Sequence, residues 1–511
     1  MTIDLSTITF TNQADIVPVS GVVDDIVNTA IANTLAGNDT ITGIGLGSNP
    51  YTPNSGNGIF NSGTLNTAEG NDIITGTARF NFFYPSPATG YGIYNTGTLN
   101  TAEDNDIITA TGELGGIYNT STFNTAEGND TISAGAADRN GTYNGIYNTG
   151  TFDTAEGNDI ITATSGFAGG RGIINTGTFN TGEGNDIITV RGKFGGIDNS
   201  GKFNTADGND EITGITSSYE GISIAEGSIF DTGNGNDKIS GKSNIGTGIY
   251  NGSITFNTGD GNDTIDGIGG FYGIQNTGLI NTGNGKDTII AKGGTIFTGA
   301  GSGLSNISTI ETGNGDDIIT GSGGIDNGGT IDTGDGDDII AGISSLSDGY
   351  QIITGLYEFS NAGTIDTGKG NDSIISDRSL IIGTGGTINT GDGNDLITSN
   401  NGIDNQGTIN TGDGADFIIA NGGFKGMGSV FLGNGKDSLN GFGTGNFNGG
   451  NNQDTLQLPS GTSYTVGIIS NTTVSFTNNN NGVIMITSEF EKLIVGSTKY
   501  LFTNLMNGQT I

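Results

Sequence analysis

"FNTGEGNDIITV", residues 179–190, is one copy of a phrase that the chain repeats from "NTLAGNDTITG" near its start to "FNGGNNQDTLQL" near its end. Aligned on its aspartate, the phrase recurs at Asp39, Asp72, Asp106, Asp130, Asp159, Asp186, Asp210, Asp237, Asp263, Asp287, Asp317, Asp338, Asp372, Asp395, Asp416, Asp437 and Asp454. Two residues after each Asp comes Ile or Leu, as in Ile74, Ile188 and Leu456. Seven before it sits another apolar residue in all but the weak first copy, such as Leu65, Phe179 and Val430, and thirteen before it a third recurs, such as Ile59, Ile117 and Ile403. Nothing in this spacing follows a helical period. Short β-branched runs between Gly, Asn and Asp clusters read as strands and turns.

A compact unit is twenty-one residues, from Asp395 to Asp416, within unit lengths that run from seventeen to thirty-four. A unit of that size cannot bury a core alone, so each is expected to add one layer to a stack with an Ile-lined interior. The fold predicted is all-β: a right-handed parallel β-solenoid of about 17 coils at ~4.8 Å per layer. Residues 1–30 form an N-terminal cap, residues 31–457 the repeats, and residues 458–511, with their apolar–polar alternation, a small β-rich C-terminal cap over the open end. Unit length varies mainly between the Ile after the Asp and the next "GI", so long stretches such as 79–92 and 344–358 should emerge from one edge. The turn "GIYNTGT" or "GIDNQGT" carries Asn at a fixed place, including Asn61, Asn95, Asn119, Asn148, Asn175, Asn199, Asn276, Asn327, Asn361 and Asn405. Stacked Asn side chains can hydrogen-bond from coil to coil.

Composition narrows the function. Net charge is −37, with 53 acidic and 16 basic residues, which disfavours nucleic acid and favours cations. There is no histidine or cysteine, so histidine-based catalysis, zinc–histidine sites and disulfides are excluded. The N-terminus lacks a basic start followed by an apolar run, so a Sec-type signal peptide is not expected. No stretch reaches the length of a spanning helix.

Stacked carboxylates ~4.8 Å apart repel by about 1 kcal/mol in water and about 3–4 kcal/mol at an effective dielectric of 20. Many units add a second acid three residues earlier, such as Glu69, Glu127, Glu156, Glu183, Asp260, Asp335 and Asp392. Internal bases are too few to neutralise these rows. A hard cation with oxygen ligands would do so, and carboxylates with glycine-turn carbonyls suit Ca²⁺.

"GGNNQDTLQ" (449–457) and "TGDGADFII" (411–419) resemble the RTX, or hemolysin-type, calcium-binding nonapeptide. The resemblance spans about residues 30–457. It implies a calcium-loaded parallel β-roll in which multiple Ca²⁺ ions lie between coils, with the seventeen aspartates above as carboxylate ligands and loops such as Thr181-Gly182-Glu183-Gly184 as carbonyl ligands. It also implies extracellular or cell-surface location and export through a C-terminal type I secretion region. The chain departs from the pattern where Thr replaces the first Gly, where Asp104 replaces the fourth position, and where Lys286 and Lys436 precede their Asp. Only alternate turns carry the motif, so the cations should line one edge.

The expected function is a secreted or cell-surface, calcium-binding, structural or adhesive repeat protein that folds on Ca²⁺ after export, without enzymatic activity. A cell-surface polysaccharide or other copies of the chain are the candidate partners beyond calcium. The alternative is an extracellular polysaccharide-active β-helix enzyme, to which loop aromatics (Phe82, Phe83, Tyr84, Phe271, Tyr272, Tyr350, Tyr357) would offer sugar stacking. A lesser alternative is ice binding through outward Thr-x-Asn rows such as Thr98/Asn100 and Thr178/Asn180.

Overall fold

A computed structural model of the chain describes residues 2–17, 25–46, 56–79, 90–137, 143–293, 301–343 and 359–511. Most of the long insertions at 79–92 and 344–358 therefore lie outside the described residues. The chain divides into two compact units, residues 1–270 and 271–511. Each is a parallel β-solenoid.

Every regular coil contains three short strands. In the first unit, the strands Tyr91–Asn95, Gly115–Asn119, Asn144–Asn148 and Arg171–Asn175 pair in parallel along one face. Thr98–Asn100, Thr122–Asn124, Thr151–Asp153 and Thr178–Asn180 form the second face. Ile107–Gly112, Thr131–Ala136, Ile160–Thr164 and Ile187–Gly192, which follow the aspartates, form the third. In each face the register sets like residue on like: Ile108 on Ile132, Phe123 on Phe152, Asn95 on Asn119.

The core follows from this register. Each coil sends one large apolar side chain inward from each face, as Ile117, Phe123 and Ile132 do in one coil and Ile173, Phe179 and Ile188 in another; all are at most 1% exposed. Full burial of each contributes about 1.5–3 kcal/mol. Phe123, Phe152, Phe179, Phe203 and Phe230 stack face to face at 4.6, 4.7, 4.8 and 4.9 Å.

The Asn positions form an internal ladder. Asn28 Nδ2 donates to Asn61 Oδ1, and the pattern continues through Asn95, Asn119, Asn148, Asn175 and Asn199, each step 2.8 Å. In the second unit it runs from Asn276 through Asn306 and Asn327 to Asn361. These side chains are fully buried, and the ladder satisfies polar groups that burial would otherwise leave unpaired.

The first unit begins with Ile3–Asp4 pairing on Ile26–Asn28, with Leu5 and Phe10 buried against the coil. The second ends differently from its repeats. Tyr464–Ile468, Thr473–Asn478 and Ile484–Ser488 form an antiparallel meander whose last strand lies beside Asn446–Asn448. Lys492–Val495 pairs with Thr455–Leu458 and turns back as Thr498–Leu501.

Candidate functional site: the aspartate turn

The aspartates lie at the corner between the second and third faces. Their side chains point inward, and all seventeen are at most 2% exposed. The reason is local: Asp106 and Ile108 stand two residues apart entering one strand, and alternate residues share a face. The same parity puts Asn95 inside with Ile93. This signal was present in the sequence: burial of the Ile two residues on implies burial of the Asp.

The row is stitched by hydrogen bonds. The backbone N–H of each Asp donates to Oδ1 of the Asp one coil later: Asp72 to Asp106, Asp106 to Asp130 and Asp130 to Asp159, each at 2.8 Å. The series is unbroken from Asp39 to Asp263 in the first unit. It is equally unbroken from Asp287 to Asp454 in the second. Asp15 N–H donates to Asp39 Oδ1 at one end, and Asp454 N–H donates to Glu491 Oε2 at the other. The repeat alignment contains neither Asp15 nor Glu491, because both lie outside the phrase. A backbone dipole thus sits between consecutive carboxyls, which softens the bare repulsion expected from spacing alone.

In all but the last two coils a buried Thr stands five residues before the Asp, beside the second carboxyl oxygen; Leu432 and Gly449 hold that place before Asp437 and Asp454. Thr258 and Thr367 donate to Oδ2 of Asp263 and Asp372 at 2.6 and 2.7 Å, and Thr232 donates likewise to Asp237. In several other coils the hydroxyl proton points to the next coil's carbonyl instead, as from Thr67 to Thr101 and from Thr154 to Thr181. Oδ2 of Asp72, Asp106, Asp130, Asp159, Asp186 and Asp210 is buried without a hydrogen-bond donor. The same is true at Asp317, Asp338, Asp395, Asp416, Asp437 and Asp454.

Burial dominates the electrostatics. It pushes Asp106, Asp159 and Asp210 up to about 8, against the lowering effect of the neighbouring Thr hydroxyl and backbone N–H. Asp72, Asp317, Asp372 and Asp437 rise to about 7 for the same first reason. Asp130, Asp186, Asp237 and Asp338 rise to about 6. A buried carboxylate with an unpaired oxygen is costly by several kcal/mol, so each such group needs either a proton or a cation.

The turn backbone is equally specific. Its fourth position before Asp is left-handed, at φ 82° for Gly182 and 58° for Ala155; two before Asp, Gly184 has φ 145°. An added Cβ on Gly184 would collide with the Gly157 carbonyl oxygen of the preceding coil. Carbonyls therefore abut the next coil at the same corner as the carboxyls. The acids three residues before Asp, including Glu69, Glu127, Glu156 and Glu183, are exposed on the outside of the turn, apart from the inner row. The residue just before Asp forms an exposed Asn ladder, with Asn129 Nδ2 on Asn105 Oδ1 and Asn185 Nδ2 on Asn158 Oδ1, both at 3.0 Å.

The donors around the inner row are all oxygen: carboxyl, hydroxyl and carbonyl. With buried Oδ2 atoms unpaired, that chemistry fits a hard cation such as Ca²⁺ and not a nitrogen- or sulfur-seeking metal. Among the described residues no three acidic side chains converge on one point. Carbonyls and Thr hydroxyls would therefore supply most ligands of any ion here.

Of the loop aromatics, Phe82, Phe83, Tyr84, Tyr350 and Tyr357 lie outside the described residues. Phe271 and Tyr272 pack edge to face on one another, with ring centroids 4.4 Å apart. Among the described residues, no helix is long and apolar enough to cross a membrane.

No family model matches the chain, and no curated protein matches it in sequence. Among solved structures, it is similar to a hyperactive, Ca²⁺-dependent, β-helical antifreeze protein from an Antarctic bacterium. The identity is 18% and the TM-score 0.33, over 79% of this chain and 91% of that one.

Proposed function

We propose that the chain is a calcium-stabilised structural or adhesive β-solenoid of RTX-like type, acting outside the cell or on its surface and without catalytic activity. The observation that supports this reading is the inner row of aspartates, in which Oδ2 atoms such as those of Asp106, Asp159 and Asp416 are buried without a donor. Bound Ca²⁺ would supply the positive charge that lets these carboxyls ionise in place. The chain's own residues do the rest. Asp N–H groups fix each Oδ1 in register, and the left-handed turn residues and the Thr side chains bring carbonyl and hydroxyl oxygens to the same corner. In a calcium-poor compartment the ionised row would oppose stacking, and a glycine-rich chain loses much entropy on ordering, so folding would await export.

The test is circular dichroism of the full chain across a free-calcium titration. Chelation to sub-micromolar calcium should reduce the β-sheet signal, and millimolar calcium should restore it. A spectrum that does not change removes the calcium reading. Turnover of an acidic polysaccharide with calcium present would replace the structural reading with an enzymatic one.

One observation favours a second, lesser reading, the ordering of water or ice. On the third face of the first unit, Thr42, Thr75, Thr109, Ser133, Thr162, Thr189 and Thr213 point outward in register. Beside them Ile73, Ile107, Ile160 and Ile187 are 40–45% exposed. The Thr-x-Asn rows of the second face serve this reading less well, because Asn100 and Asn124 are tied to the preceding Asn at 2.8 Å. Thermal hysteresis at saturating calcium tests it.

A further inference from the structure

The outer side of the first face in the first unit carries a column of aromatic rings unrelated to the aspartate turn. Phe60, Tyr94, Tyr118 and Tyr147 occupy the same register position in successive strands. Their ring centroids are 5.5, 4.9 and 5.1 Å apart, with interplanar angles of 23°, 3° and 7°. Tyr91 leans against the column, 5.6 Å from Tyr94 and 4.9 Å from Tyr118, at 40° and 43°. All four tyrosines are half-buried. Tyr118 touches each of the other three. Tyr219, Tyr272 and Tyr464, by contrast, meet Phe194, Phe271 and Phe442.

Packing gives part of the reason for such a column, since stacked rings contribute about 0.5–1.5 kcal/mol per pair beyond area. It does not require phenols, because Phe60 fills the first place without a hydroxyl. What phenols add is one-electron chemistry. We propose that Tyr91, Tyr94, Tyr118 and Tyr147 form an oxidative cross-linking site, in which a peroxide-driven one-electron oxidant joins Tyr118 to a neighbour as dityrosine across two adjacent coils.

The step balances. Each of two phenols gives up one electron and its phenolic proton to become a phenoxyl radical, with spin on the ring carbons ortho to oxygen. Two such carbons form one C–C bond, and the two displaced ring hydrogens return to the phenol oxygens. The net loss is two protons and two electrons, which reduce one hydrogen peroxide to two waters. A biaryl is twisted about its new bond, and Tyr91 is already inclined to Tyr118, so that pair is the favoured product. Burial and the neighbouring phenols push Tyr91 up to about 12, so it enters the reaction as the protonated phenol and loses its proton with the electron. Tyr91 and Tyr118 lie in neighbouring coils, and the link would hold those coils together whatever the cation occupancy of the aspartate turn.

The full chain, folded in calcium and dilute enough to suppress contacts between copies, is treated with a peroxidase and hydrogen peroxide, then digested and sequenced by mass spectrometry. The expected result is monomer lighter by two hydrogens, dityrosine fluorescence, and a cross-linked peptide pair containing Tyr118. Tyr118→Phe should lower the dityrosine yield several-fold with an unchanged circular dichroism spectrum. Tyr91→Phe should shift the link to Tyr94 or Tyr147, and Tyr219→Phe should leave the yield as it was. Links only between separate chains, links that avoid Tyr118, or a yield unaffected by Tyr118→Phe would each overturn the proposal.

Discussion

The backbone N–H of Asp454 donates to Oε2 of Glu491 at 2.8 Å, and Glu491 thereby takes the place that the next repeat's aspartate would have held. The C-terminal segment is thus joined to the repeats by the same bond that joins one repeat to another.

That bond can be tested directly. Glu491→Ala leaves the Asp454 N–H without its acceptor and should lower stability by about 1–3 kcal/mol. Glu491→Gln keeps an oxygen in place and should recover most of the loss. Urea denaturation of the two variants against the parent chain makes the measurement.

The asparagine ladder should be far less tolerant than the outer Asn rows. Asn119 donates to Asn148 Oδ1 and the Thr151 carbonyl, and accepts from Asn95. Asn119→Ala should cost about 1–3 kcal/mol for each group left unpaired. Asn180→Ser, on the half-buried outer face, should change stability by less than about 0.5 kcal/mol. Thermal melts of the two variants at fixed calcium make the comparison.

Turn geometry makes an opposite pair of expectations. Asp104 has φ 95° at a place where Gly128 and Gly157 stand in the next coils. Asp104→Gly should raise stability by about 1 kcal/mol through relief of the left-handed strain. Gly184→Ala should lower it by about 1–3 kcal/mol, since the new Cβ meets the Gly157 carbonyl in a left-handed backbone. Differential scanning calorimetry should give the two variants melting temperatures on either side of the parent.

In chelator, stability should fall as pH rises. Burial raises Asp106, Asp159 and Asp210 from 3.8 to about 8, so the folded chain binds more protons than the unfolded chain between those values. Their stabilising contribution is fully present below pH ~4 and is lost as pH rises through ~8. With saturating calcium the slope should reverse, because protons then compete with the cation. Urea midpoints from pH 4 to 8, with and without calcium, show both signs; a flat profile in chelator would contradict the burial of these carboxyls.

Much of the coil is legible in the sequence, because the repeat aligns like on like. The positions of Ile117, Phe123 and Ile132 in the core follow from spacing alone, and the stacking of Asn95 on Asn119 follows from register. The inward direction of the aspartates was less obvious. A Gly-rich, acidic phrase resembles an exposed turn, and only the parity between Asp106 and Ile108 shows that it folds inside. Asp15 and Glu491 could not be found by repetition, since each occurs once. The loop aromatics from Phe82 to Tyr84 fall outside the described residues.

Because each rung of the aspartate row gives and receives an identical bond, the number of rungs is left open by the chemistry. Excising residues 396–416 would set Asp395 against Asp437 with donor, acceptor and flanking turn all unchanged. A gene encoding such a chain can therefore grow or shrink in whole-coil increments by simple duplication or loss. Asp15 and Glu491, the two unrepeated terminators, are the positions that such changes must spare.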